Sequence, residues 1–118
     1  MPPEGYRRMT AKSSAILPGT LDLLILKTLA LGPLHGWGIS QRLLQLSGDT
    51  FRVTQGSLYP SLHRLEGQGL LDASWEMSDT ARRVKSYRLT AAGRKRLVEE
   101  TKSWAHYARA VHLVLDAT

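Results

Sequence analysis

Residues 54–71, TQGSLYPSLHRLEGQGLL, decide how this chain is read. Leu58, Leu62 and Leu65 recur at i, i+4 and i+7, the spacing that gathers apolar side chains on one face of a helix. The opposite face carries Pro60, His63, Arg64 and Gly67, flanked by Gly56 and Ser57. A helix docks through one apolar stripe and leaves its far face to a partner. Here that far face is small, polar and cationic. Gly67 and Gly69 end the helix, and residues 70–77 then alternate, with Leu71, Ala73, Trp75 and Met77 on one side of a strand. Ser78, Asp79, Thr80 and Ala81 make a turn, and 84–89 return as a second strand. Arg82, Arg83, Lys85 and Arg88 crowd that one hairpin.

A helix with a cationic outer face followed by a basic hairpin is the winged helix-turn-helix pattern, in which the helix suits the major groove of DNA. Upstream, Thr20 is placed to cap a first helix, with Asp22 in its first turn against the helix dipole. Leu21, Leu24, Ile25 and Leu29 keep to one face, and Gly32-Pro33 stops the helix. A second helix over 36–47 buries Ile39, Leu43 and Leu46 and ends at Gly48. Gly36 and Gly38 near its start imply close backbone packing or a tight entry. Thr54 or Ser57 can cap the third helix. A start near Thr54 puts Pro60 inside the helix and distorts its first turn.

Thr90 caps a final helix over about 91–116, roughly 40 Å long. Leu97, Thr101, Trp104, Ala108, Val111 and Leu115 alternate spacings of four and three along it, a thin heptad seam. A helix this long outruns so small a core, and a second copy of the chain is the economical cover for the seam. The predicted fold is mainly α with a small β-hairpin wing: residues 1–15 a flexible arm, 16–90 a winged helix-turn-helix domain, and 91–118 a dimerisation helix.

The composition agrees with this reading. The 118 residues carry a formal charge of +6 with a pI near 10.1, which favours a polyanionic partner, the more so because the arginines cluster on a turn. The absence of cysteine excludes disulfides, zinc ribbons and thiol catalysis. Arg7, Arg8 and Lys12 are followed by Pro18 and Gly19, which leave no apolar run for a signal peptide, and no run reaches membrane-spanning length. A soluble cytoplasmic protein without membrane association is expected. His35, His63, His106 and His112 lack metal-site spacing, and Gly36-Trp37-Gly38 lacks the third glycine and preceding strand of a phosphate-binding loop. No enzyme, metal or cofactor is implied. The competing reading is a winged helix used for protein contact or RNA binding, separable from DNA binding by its salt dependence.

Five strings together resemble the PadR family of bacterial transcription regulators. They are L-D-L-L-I-L at 21–26, H-G-W-G-I at 35–39, G-S-L-Y-P-S-L-H-R-L-E at 56–66, G-L-L at 69–71 and Y-R-L-T-A-A-G at 87–93. Their order and spacing match the family's, and the brief C-terminal part resembles its subclass with one terminal helix. Trp37 departs from the tyrosine common there, so no hydroxyl contact follows from that position. The resemblance implies a homodimer whose final helix pairs with the partner's first helix. It also implies binding of a double-stranded DNA operator, usually as a repressor. By position, Gln55, Ser57, Tyr59, His63 and Arg64 lie on or beside the reading helix and Arg82, Arg83 and Lys85 on the wing. Ser57, Tyr59 and the wing cations suit phosphates, whereas Gln55, His63 and Arg64 suit base edges. Tyr59 is equally well placed to be a packing residue. In drug-sensing members, a tryptophan at the distance of Trp104 from the Y-R-L-T string stacks on flat aromatic compounds between subunits. Trp104 is therefore a candidate ligand residue, for an aromatic small-molecule effector.

Overall fold

The computed structural model describes residues 16–17 and 19–118. The expected arm over 1–15 lies outside the described residues. The elements run α1 (Leu21–Ala30), β1 (Leu34–His35), α2 (Gly36–Leu46), α3 (Gln55–Gly67), β2 (Leu71–Met77), β3 (Arg83–Leu89) and α4 (Ala91–Leu115).

Thr54 is the N-cap of α3: its Oγ1 accepts the Ser57 amide at 3.2 Å, and the hydroxyl donates to Ser57 Oγ at 3.1 Å. Such a cap stabilises a helix by about 1 kcal/mol. Pro60 is inside the helix. It cannot donate to the Gly56 carbonyl, but both residues are exposed, so water is available to that oxygen. Thr90 caps α4 in the same way, accepting the Gly93 amide at 3.0 Å. Thr20 differs from the sequence expectation. It occupies the N-cap position of α1, but its hydroxyl donates to the Leu17 carbonyl at 2.6 Å and makes no capping bond.

The core draws on α1, α2, α3 and both long strands. Ile25, Leu26 and Leu29 from α1, Ile39 and Leu43 from α2, and Leu58, Leu62 and Leu65 from α3 are buried, closed beneath by Leu70, Leu71, Tyr87 and Leu89. Each such side chain contributes about 1.5–3 kcal/mol on leaving water. The predicted α3 stripe is thus buried in full. Leu46 is not: it is 58% exposed, since α2 has run past the core by its last turn. Leu21 and Leu24 are only partly buried, while Leu26, absent from the expected stripe, is fully so.

The sheet has three strands in the order β1-β3-β2, all antiparallel. The hairpin pairs Leu71 with Leu89 at its base and Met77 with Arg83 at its tip. Strand β1 has no counterpart in the sequence reading, which starts the second helix at residue 36 and gives residues 34 and 35 no element. Two residues are too few for an alternating pattern, and Leu34 and His35 become a strand only because Tyr87 and Ser86 offer an edge.

Helix α4 starts inside the core and leaves it. Gly93 is buried, and a β-carbon there would run into the Leu70 carbonyl and the Leu89 side chain. That contact explains the glycine of Y-R-L-T-A-A-G. Leu97, expected on an intersubunit seam, is partly buried against the chain's own core, because α1 lies along the first half of α4. From Val98 onward most large apolar side chains of α4 are exposed. The radius of gyration, 16.6 Å, exceeds the value of about 13 Å for a compact chain of this size, as a projecting helix requires.

Candidate nucleic-acid interface

At 100° per residue, α3 presents three sectors beside its buried stripe. Gly56, Pro60, His63 and Gly67 face outward. Tyr59 and Glu66 turn toward the wing. Ser57 and Arg64 turn toward α1. Gln55, Ser57 and His63 are exposed.

The two charged residues of the last turn are both engaged within the chain. Arg64 Nη2 bonds both carboxylate oxygens of Asp22 in α1, at 2.5 and 2.6 Å. This corrects its assignment to the outward face: Arg64 sits on the α1 flank, and its guanidinium has a partner before any base arrives. Lys85 Nζ meets Glu66 Oε1 at 3.0 Å and lies 5.5 Å from the centre of the Tyr87 ring. The hydrogen bond to Glu66 holds the Lys85 pKa above the ordinary lysine value. Burial raises that of Tyr87 against the opposing pull of Lys85. Lys85 is therefore charged and already partnered.

Tyr59 is a packing residue and a wall of the site together. Its phenol lies over the start of α2, so close that a β-carbon on Gly36 would stand 2.5 Å from its hydroxyl oxygen. It remains 42% exposed on the other side. With Trp37, Trp75, Arg82 and Arg83 it lines a groove of about 680 Å³ between the start of α2 and the wing. Arg83 stacks on Trp75, with its guanidinium carbon 4.8 Å from the ring centre. The register accounts for this: Met77 pairs with Arg83 and Trp75 with Lys85, so Trp75 and Arg83 are diagonal neighbours on one face of the hairpin.

The sequence reading placed Arg82, Arg83 and Tyr59 correctly on helix and wing but supplied only two walls of the groove. The third wall is His35 and Trp37, brought there by β1. The available signal was a tryptophan, 58% exposed here, beside a glycine at a helix entry. Trp75 was visible in the strand alternation, but its partner was not. Among the described residues no group of His, Asp or Glu is arranged to hold a metal, and no helix is long and apolar enough to cross a membrane.

The second place of interest is a cleft of about 470 Å³ between the start of α1 and the middle of α4, lined by Leu17, Leu23, Trp104 and Tyr107 among others. Trp104 is 41% exposed there, with its ring centre 6.0 Å from that of Tyr107. Thr101 is exposed and its hydroxyl donates to the Leu97 carbonyl, while Ala108 is half-buried.

Three helices, the third capped by Thr54 and exposed along its outer face, followed by a basic hairpin define a winged helix-turn-helix protein. Residues 25–99 match the model of the transcriptional regulator PadR-like family, and the chain belongs to that family. It is 43% identical over 90 residues to the transcriptional regulator Rv3488 of Mycobacterium tuberculosis, covering 75% of this chain and 79% of the relative. A solved PadR family transcriptional regulator from Eggerthella lenta superposes with a TM-score of 0.77 at 27% identity, over 98% of this chain and 96% of that one. A PadR-like transcriptional regulator from Bacillus cereus gives 0.72 at 29% identity, over 85% and 95%. The chain is a PadR-like transcriptional regulator, of a family that regulates transcription and does not catalyse.

Proposed function

We propose that this chain binds a double-stranded DNA operator with an inverted repeat, as a homodimer, and represses transcription. The observation that carries the reading is the shared face of α3, Trp37 and the wing, where Arg82 and Arg83 stand beside an exposed, capped helix. Gln55 and His63 are the base-reading side chains in this proposal. Ser57, Tyr59, Arg82 and Arg83 take phosphates. Arg64 and Lys85 are left out, because Asp22 and Glu66 already hold them. Residues 16–90 serve DNA and 91–118 serve the dimer, where Thr101, Trp104, Ala108, Val111 and Leu115 are the seam beyond Leu97. Exposure of Val111, Val114 and Leu115 supports a covering partner. A dimer seated on an operator blocks other proteins from it, which gives repression. A DNA partner implies a cytoplasmic location.

Selecting bound duplexes from a random library tests the reading. The expected product is an inverted repeat with half-sites about one helical turn apart, bound with an affinity that falls steeply with salt. Arg83→Ala is expected to flatten the salt slope by about one unit. Binding that is flat in salt and indifferent to sequence would point to a protein-contact module, and preference for RNA over the duplex to an RNA binder.

The cleft at Trp104 supports a second element of the proposal. A planar aromatic effector entering it would stack on the indole, and would regulate DNA binding only by favouring one arrangement of the two subunits over another.

A further inference from the structure

The wing is fastened to the rest of the molecule mainly at its base. Leu71, Leu89 and Tyr87 are buried in the core, and β1 holds β3 only at Tyr87 and Ser86. Beyond that point Trp75 and Met77 are 59% and 66% exposed, and among the described residues no buried side chain restrains the tip. A two-stranded ribbon without a packed face is marginal and free to twist. The first tie above the base is the ion pair between Lys85, two residues out from Tyr87, and Glu66 on the wing-facing flank of α3. The opposite flank of the same helical turn carries the Arg64–Asp22 pair. Arg64 and Glu66 are two residues apart, hence about 200° around the helix, so the two pairs brace α3 from opposite sides.

We propose that Lys85 and Glu66 are positioning residues: their ion pair is a strut that sets the distance and angle between the reading helix and the wing, and Lys85 does not contact DNA. The inference rests on the DNA-binding reading for its purpose. The strut acts on the free chain and can be read there. The geometry favours this role over a phosphate contact on two grounds. Lys85 shares its hairpin face with Arg83 but stands two residues nearer the base, beside the buried Tyr87 and within reach of Glu66 on α3, and its side chain is 32% exposed. Its ammonium also has both an acceptor in Glu66 and an aromatic face in Tyr87, whereas Arg83, nearer the tip, stacks on Trp75 and is exposed. The raised pKa of Lys85 agrees with an intact pair at neutral pH.

Charge reversal separates a strut from a phosphate contact. The variants are Glu66→Gln, Lys85→Met and the exchange Glu66→Lys/Lys85→Glu, each checked for folding by circular dichroism. In the free chain, the strut predicts that amides of Arg83–Leu89 exchange with solvent faster in either single variant, by about threefold or more, and return toward native rates in the exchange. On a fluorescent duplex selected by the native protein, each single variant is expected to bind about fivefold more weakly with an unchanged salt slope, and the exchange to recover most of the loss. If Lys85→Met lowers the salt slope by about one unit and the exchanged pair binds worse than either single variant, Lys85 is a phosphate contact and the strut is wrong. Single variants with native exchange rates would also overturn it. A native chain that selects no duplex would defeat the DNA reading while leaving the exchange result to stand.

Discussion

The Tyr59 phenol and Gly36 occupy one space: a β-carbon at residue 36 would lie 2.5 Å from the hydroxyl oxygen and 2.8 Å from the ring carbon that bears it. The entry of α2 and helix α3 approach closely at that point. Alanine at a helix start otherwise gains on glycine, by about 0.5–1 kcal/mol, through the unfolded chain. Gly36→Ala is therefore expected to destabilise the native chain, yet to be neutral or stabilising in a Tyr59→Ala background. A double-mutant cycle by urea denaturation should return a coupling of about 1 kcal/mol. Additive effects would mean that Tyr59 swings clear at no cost.

Gly93 is expected to be less forgiving. Its added β-carbon meets the Leu70 carbonyl, which is backbone and receives the Thr90 amide at 3.2 Å, so it has little freedom to move. Overpacking at such a site costs about 1–3 kcal/mol. Gly93→Ala should lower the denaturation midpoint accordingly, and an unchanged midpoint would show that the start of α4 shifts as a unit.

Alkaline pH should loosen the wing base. The folded-state pKa values of Lys85 and Tyr87 are both raised, Lys85 by the Glu66 hydrogen bond and Tyr87 by burial. Their stabilising contributions are complete below the ordinary values of 10.5 and 10.0 and are lost as pH rises through the higher folded values. Thermal stability should stay level across neutral pH with respect to these groups and decline above about pH 10. Tyr87→Phe should remove the tyrosinate share of that decline. A Tyr87→Phe chain that loses stability as steeply as the native one would assign the alkaline transition elsewhere.

The exposed end of α4 sets the fourth expectation. Val111 is 38% exposed beside Val114 and Leu115, which are more exposed still. On the proposed seam, Val111→Glu inserts two charges at a two-fold contact and should shift sedimentation from dimer toward monomer at micromolar concentration, with the fold of each subunit retained. A native chain that sediments as a monomer would remove the dimer from the proposal.

Helix α3, the wing turn and the cap of α4 were legible in the residues because each is a local matter. The spacing of Leu58, Leu62 and Leu65 fixes a buried face through the helical repeat alone, and Thr54 and Thr90 cap by reaching amides three residues on. The alternation through Trp75 likewise gives the inner side of the hairpin. Partners distant in the chain carry no such signature. Arg64 finds Asp22 across 42 residues and Lys85 finds Glu66 across 19, so two cations that look free along the sequence are paired within the chain. Leu97 and Leu46 show the same division, since periodicity marks both as apolar positions but only the crossing of α1 over α4, and the overrun of α2 past the core, decides that one is covered and the other is not. Strand β1 exists only where β3 offers an edge. A repeat within one element encodes which face is apolar. Which neighbour that face or its flanking charges meet depends on packing angles that no single element contains.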